Sequence, residues 1–185
     1  MKSDEKKSEC NRALFLCGMM GSGKSTVGRL LAGRLSVPFR DLDRELEKSE
    51  GISVPEIFSR HGEDGFRRRE RQLLQKISTI RPQVVALGGG SVQNREIADL
   101  LNDRGLLVFL DAPLSVLSER LQGDRSRPLL ATGKGNGSGT SHRIETLMKK
   151  RRPLWLKARI RIDTNGLNPD ETVEKILKEL EEYDT

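Results

Sequence analysis

Gly18-Met19-Met20-Gly21-Ser22-Gly23-Lys24-Ser25 combines three glycines, an ammonium and a hydroxyl in the spacing GxxxxGK[ST]. Glycines at these positions let backbone N–H groups turn inward around phosphate oxygens, a lysine reaches the terminal phosphates, and a serine hydroxyl suits Mg²⁺. The segment fixes nucleoside triphosphate binding, with Gly21, Ser22, Gly23, Lys24, Ser25 and Thr26 as the contacting residues. A chance match in a chain of this length has odds on the order of one in a hundred. Two further stretches offer chemistry. Asp41 and Asp43 lie at the end of a short strand-like stretch, and Gly88-Gly89-Gly90 follows another. Either aspartate alone reads more readily as a helix N-cap than as a catalytic group, and three glycines alone read as a turn.

The secondary structure around these residues discriminates between the two kinds of reading. Ala13 to Cys17 is an apolar run of strand length, and Val27, Leu30, Leu31 and Leu35 then recur at helical spacing. Pro38 to Asp41, Gln83 to Leu87, Leu106 to Leu110 and Arg159 to Asp163 read as further strands. Helices are predicted from about Arg44, around Val54 to Phe58, over Glu63 to Ile80, Asn94 to Asn102, Pro113 to Leu121, Arg143 to Arg152 and Pro169 to Glu182. Strands alternating with helices imply an α/β domain, a doubly wound, mostly parallel five-stranded sheet with helices on both faces. Ligands of such sheets bind outside the carboxyl ends of the strands. The phosphate loop, the two aspartates and the triple glycine all fall there, which turns three separate signals into one site.

Other features are read as structural. Leu106 to Asp111 has the form of a Walker B strand with a metal-binding aspartate, but Ala112-Pro113 follows at once, and helix capping or a first-turn charge interaction accounts for Asp111. Asp64-Gly65-Phe66-Arg67 is like a fragment of adenylate kinases, but it lacks the proline and precedes the third strand. His61 and His142, the two histidines, have no nearby nucleophile or metal-ligand partner and are assigned to the surface. The base for phosphoryl transfer is therefore a carboxylate, or none is needed.

With 185 residues the chain is expected to form one domain, 12–183, with a lid at about 123–141 where Gly, Ser, Thr and basic residues replace the apolar pattern, and a disordered tail over 1–11. Aromatics make up only 4%, which argues against a base-stacking, nucleic-acid-binding surface despite a net charge of +6. Much of the basic excess lies in Arg67 to Arg71 and Lys149 to Arg152, read either as solvated helix faces or as binding groups for anionic small molecules. Cys10 and Cys17 have no metal-ligand spacing, and Cys17 sits in the first strand as a buried thiol. No segment has the form of a signal peptide, a transit peptide or a membrane span, so a cytoplasmic protein is expected.

From Leu14 to about Leu180 the chain resembles the shikimate kinases. The resemblance rests on the phosphate loop through Thr26, Asp41-Leu42-Asp43, Ile57-Phe58, Gly62-Glu63 with Phe66-Arg67, Gly88-Gly89-Gly90, Arg127-Pro128-Leu129-Leu130, and Arg151 with Pro153-Leu154. It implies a P-loop kinase fold with a flexible lid and ATP-dependent phosphorylation of the 3-hydroxyl of shikimate, on the way to chorismate and the aromatic amino acids. By similarity Asp43 holds and activates the acceptor hydroxyl, Arg67 and Arg151 clamp the shikimate carboxylate, and Gly88, Gly89 and Gly90 line the pocket. Lys24 and Arg127 neutralise the transferring phosphate, Ser25 ligates Mg²⁺ with Asp41 assisting through water, and Arg120 lies against adenine. Shikimate and ATP are the expected partners of a monomeric enzyme. Two departures stand out: Gly133 to Thr140 is longer and richer in glycine than the family's lid, and Trp155 stands where a tyrosine is common. A gluconate kinase would share the ATP loop without needing two arginines for a ring carboxylate. A non-catalytic nucleotide-binding module is the other rival, and it is not of the guanine-binding kind, since no Asn-Lys-x-Asp occurs.

Overall fold

The first strand, β1 (Ala13–Cys17), is buried along its entire length, as a strand covered on both faces must be. A computed structural model describes residues 11–121 and 138–183. In chain order the remaining elements are α1 (Lys24–Leu35), β2 (Phe39–Asp41), α2 (Leu42–Glu50), α3 (Val54–Ile77), β3 (Gln83–Ala86), α4 (Arg95–Arg104), β4 (Gly105–Asp111), α5 (Leu114–Leu121), α6 (Ser138–Trp155), β5 (Ile160–Asp163) and α7 (Pro169–Tyr183). The five strands form one sheet in the order β2-β3-β1-β4-β5, every pair parallel. In register, Ala13 lies between Gln83 and Gly105.

Alternation along the strands divides the interior in two. Leu14 and Leu16 join Val84, Val108 and Ile162 under Val27 and Leu31 of α1 and Val173 and Ile176 of α7. Phe15 and Cys17 join Val85 and Phe109 under Leu74 of α3, Leu101 of α4, Leu117 of α5, and Ile144 and Trp155 of α6. A smaller cluster of Leu46, Ile57 and Phe66 ties α2 to α3.

Several boundaries differ from the sequence reading, each for a local reason. The second helix begins at Leu42, because Asp41 itself is the N-cap and its carboxylate accepts the Arg44 N–H. The two helices expected on either side of Gly62 run together as α3, with a kink where Gly62 adopts φ 67° and ψ −178°. That helix stops at Ile77 and leaves Ile80 exposed. Leu30, counted with the apolar stripe of α1, faces solvent. Residues 138–141, assigned to the lid, already belong to α6; the rest of the lid, Arg127 included, lies outside the described residues.

Candidate active site

Three backbone positions of the phosphate loop need glycine: Gly18, Gly21 and Gly23 have φ of 140°, 81° and 91°. Gly18 has a second constraint, since a Cβ there would stand 2.6 Å from the Leu110 carbonyl oxygen. The loop is thus seated directly on the end of β4. Lys24 opens α1 and is buried, its Nζ donating to the carbonyls of Gly18 at 3.1 Å and Met19 at 2.8 Å. The ammonium therefore lies within the curve of the loop, beside the N-terminus of a 12-residue helix.

Ser25 and Thr26 are exposed at the mouth of the loop. The Ser25 hydroxyl donates to Asp41 Oδ2 at 2.6 Å, while Asp41 Oδ1 caps α2. One carboxylate thus both caps α2 and reaches the phosphate loop, so the two readings of Asp41 do not exclude each other. Arg120, on α5, donates to the Gly21 carbonyl at 3.1 Å and so flanks the loop.

Asp43 lies in the first turn of α2. A Cβ on Gly88 would come within 3.0 Å of its Oδ1, so the carboxylate rests against the first glycine after β3. The next two glycines receive the arginines: Arg151 Nη1 donates to the Gly89 carbonyl at 3.2 Å, and a Cβ on Gly90 would stand 2.5 Å from Arg67 Nη2. The triple glycine is a floor on which two guanidinium groups lie. Burial pushes the Arg151 pKa down, and repulsion from Arg67 adds to that, which places the two cations within each other's field. Each basic cluster divides between inward and outward residues: Arg69 pairs with Glu50, Arg71 donates to Gln93, and exposed Lys149 pairs with Glu145.

A cavity of about 340 Å³ is walled by Met20, Val54, Pro55, Phe58 and Phe66 and carries Arg67 and Arg151 with Asp43 and Gly88 to Gly90. Phe58 and Phe66 stack with centroids 4.4 Å apart. A second cleft runs along Gly21, Gly23, Lys24, Ser25, Thr26, Asp41 and Arg120, and it shares Asp43, Gly88 and Gly89 with the first. One cavity thus fits an anion with an apolar body, the other fits phosphates, and the carboxylate of Asp43 stands where they meet.

The shikimate kinase family model matches residues 20–181. The chain belongs to the shikimate kinase family. A shikimate kinase from Thermodesulfovibrio yellowstonii is 41% identical over 168 residues, 91% of this chain and 94% of that one. The solved shikimate kinase from Acinetobacter baumannii, in complex with shikimate, has a TM-score of 0.87 and 34% identity, covering 95% of this chain and 96% of its own. A gluconokinase from Sinorhizobium meliloti 1021 reaches a TM-score of 0.52 at 22% identity, a likeness of fold alone.

Within this member of the family the fold also recruits groups that sequence reading passed over. Glu70 is 1% exposed and accepts from Arg67 Nη1 at 2.7 Å, Ser91 Oγ at 2.6 Å and Gln93 Nε2 at 3.3 Å, fixing the guanidinium over Gly90. Its spacing of three residues from Arg67 on one helix was the available signal. Glu47, one turn beyond Asp43, lines both clefts and accepts the Val54 N–H at 2.8 Å, tying α2 to the start of α3. Asp111 is not a cap. Its Oδ2 is taken by Arg152 Nη2 at 2.8 Å and by Arg161 Nη2 at 2.7 Å. His61 and His142 are both exposed, Cys17 is buried, and Trp155 fills the core against Phe109.

Proposed function

We propose that the protein transfers the terminal phosphoryl group of ATP to the 3-hydroxyl of shikimate. The observation that carries this reading is the meeting of a phosphate-loop cleft and a two-arginine cavity at Asp43. Phosphoryl transfer asks a protein mainly to position two substrates and to neutralise developing charge. In this reading the guanidinium forks of Arg67 and Arg151 take the ring carboxylate, the stacked phenylalanines cover the ring, and the hydroxyl to be phosphorylated points at Asp43. Asp43 accepts its proton or holds it in line with the phosphorus. Lys24 follows the charge that moves onto the transferring oxygens. By resemblance to the family, Arg127, which lies outside the described residues, would share in neutralising that charge, and Arg120 flanks the nucleotide.

The Ser25 and Asp41 oxygens are hard donors, few in number and adjacent, which is the donor set Mg²⁺ takes when phosphates and water supply the rest. When bound there it would screen the phosphate charges. We read the protein as a monomer of one domain, 12–183, acting in the cytoplasm; among the described residues no helix is long and apolar enough to cross a membrane.

The test is a panel of acceptors, shikimate and gluconate among them, with ATP, Mg²⁺ and coupled detection of ADP. Shikimate should be turned over far faster than any other member, with no ADP formed when it is omitted. Preference for gluconate, or ATP binding with no turnover on any acceptor, would overturn the proposal.

A further inference from the structure

Asp111 ends an apolar strand beside the phosphate loop, the position at which a P-loop protein often holds a metal-binding aspartate. Its surroundings point elsewhere. The carboxylate is 11% exposed, and its Oδ2 receives Arg152 from α6 and both Nε and Nη2 of Arg161 from β5, at 2.7 to 2.9 Å. Two guanidinium groups on one oxygen leave no need for a cation.

Arg152 is the sequence neighbour of Arg151. Strand and helix periods make the connection specific: Phe109 and Asp111, two apart on β4, face one side, and Arg152 and Trp155, three apart on α6, meet them. Trp155, 1% exposed, packs on Phe109 with centroids 5.6 Å apart, while Arg152 donates to Asp111. An apolar contact holds a helix down but is non-directional, whereas a charged hydrogen bond has a preferred geometry. The first docks α6, and the second sets its rotation about its own axis. Rotation is what Arg151 is sensitive to, since it projects about 100° from Arg152 around the helix, as 3.6 residues per turn require. The same end of β4 supports the phosphate loop, because Gly18 has no room for a Cβ against the Leu110 carbonyl.

We propose that Asp111 is a positioning residue of the acceptor site, which holds Arg151 at a fixed distance from the phosphate loop by anchoring Arg152. This rests on the proposed shikimate kinase activity. Asp111→Asn and Arg152→Ala should each raise KM for shikimate about three- to tenfold. Both should leave KM for ATP, the Mg²⁺ requirement and kcat within about twofold, with far-UV circular dichroism unchanged. The double variant should be no worse than the poorer single, since both break the same contact between Asp111 and Arg152. An increased Mg²⁺ requirement, equal changes in both KM values, strictly additive effects, or an unchanged KM for shikimate would each overturn the inference. Should Asp111→Asn fail to fold, Arg152→Ala decides alone, because it leaves Asp111 paired with Arg161. Failure of the unaltered protein to phosphorylate shikimate would refute the activity itself; a normal parent with indifferent variants refutes only the role of Asp111.

Discussion

Lys24 is held by the carbonyls of the loop it serves, so its truncation removes a charge without opening the core. Lys24→Ala should keep the fold and lower kcat on the order of 10²- to 10³-fold, the range for removing one preorganised charge from a transition state. Near-normal turnover by a folded variant, checked by circular dichroism and steady-state assay, would remove the loop from the mechanism. Asp43→Asn keeps the shape of the side chain at the junction of the clefts and loses the basic oxygen. Its kcat should fall about 10²-fold or more with ATP affinity preserved, as measured by nucleotide titration alongside the assay. Arg67→Ala and Arg151→Ala each remove half of a carboxylate clamp. A hydrogen bond to a charged group contributes roughly 1.5 to 3 kcal/mol, so KM for shikimate should rise about ten- to a hundredfold while KM for ATP moves little. Parallel losses in both would indicate general damage.

The loop after β3 shows how an element gives side chains their meaning. Gly88, Gly89 and Gly90 have no positive φ, so the glycines are needed for space rather than for backbone conformation. At Gly90 that space is filled by the end of the Arg67 side chain, which can move aside at small cost. Gly90→Ala should therefore change the melting temperature by only a few degrees yet raise KM for shikimate severalfold, because Arg67 is displaced from where Glu70 holds it. A large loss of thermal stability with unaltered KM would show that the glycine serves packing instead. The kink at Gly62 redirects α3 between the segment bearing Phe58 and the segment bearing Phe66, letting both rings reach one cavity wall.

For the molecule as a whole, the two-sided burial of β1 has a consequence in alkali. Burial pushes the Cys17 thiol well above its usual value of 9.0, with the Lys24 charge opposing the shift in part. The folded pKa exceeds the unfolded one, so the stabilisation is complete below about pH 9 and is lost as pH rises further, by up to about 1.4 kcal/mol per unit. Denaturant unfolding between pH 8 and 10.5 should show this decline, and Cys17→Ala should show a shallower one; identical slopes would mean that the thiolate is accommodated in the fold. The strand–helix alternation, the phosphate loop, the three strand ends that bear the site and the family are all legible in the sequence, because apolar periodicity and glycine spacing are local properties of the chain. The sequence also pointed to Asp43, Arg67 and Arg151, through motifs shared with the shikimate kinases. Which arginine of each basic cluster turns inward, that Asp41 both caps α2 and meets Ser25, that Glu70 holds Arg67, and that Asp111 pairs with Arg152 of α6 emerge only in the folded chain. These depend on contacts between residues up to 62 positions apart in the chain, where a charge finds its partner only after the sheet has brought separate elements together.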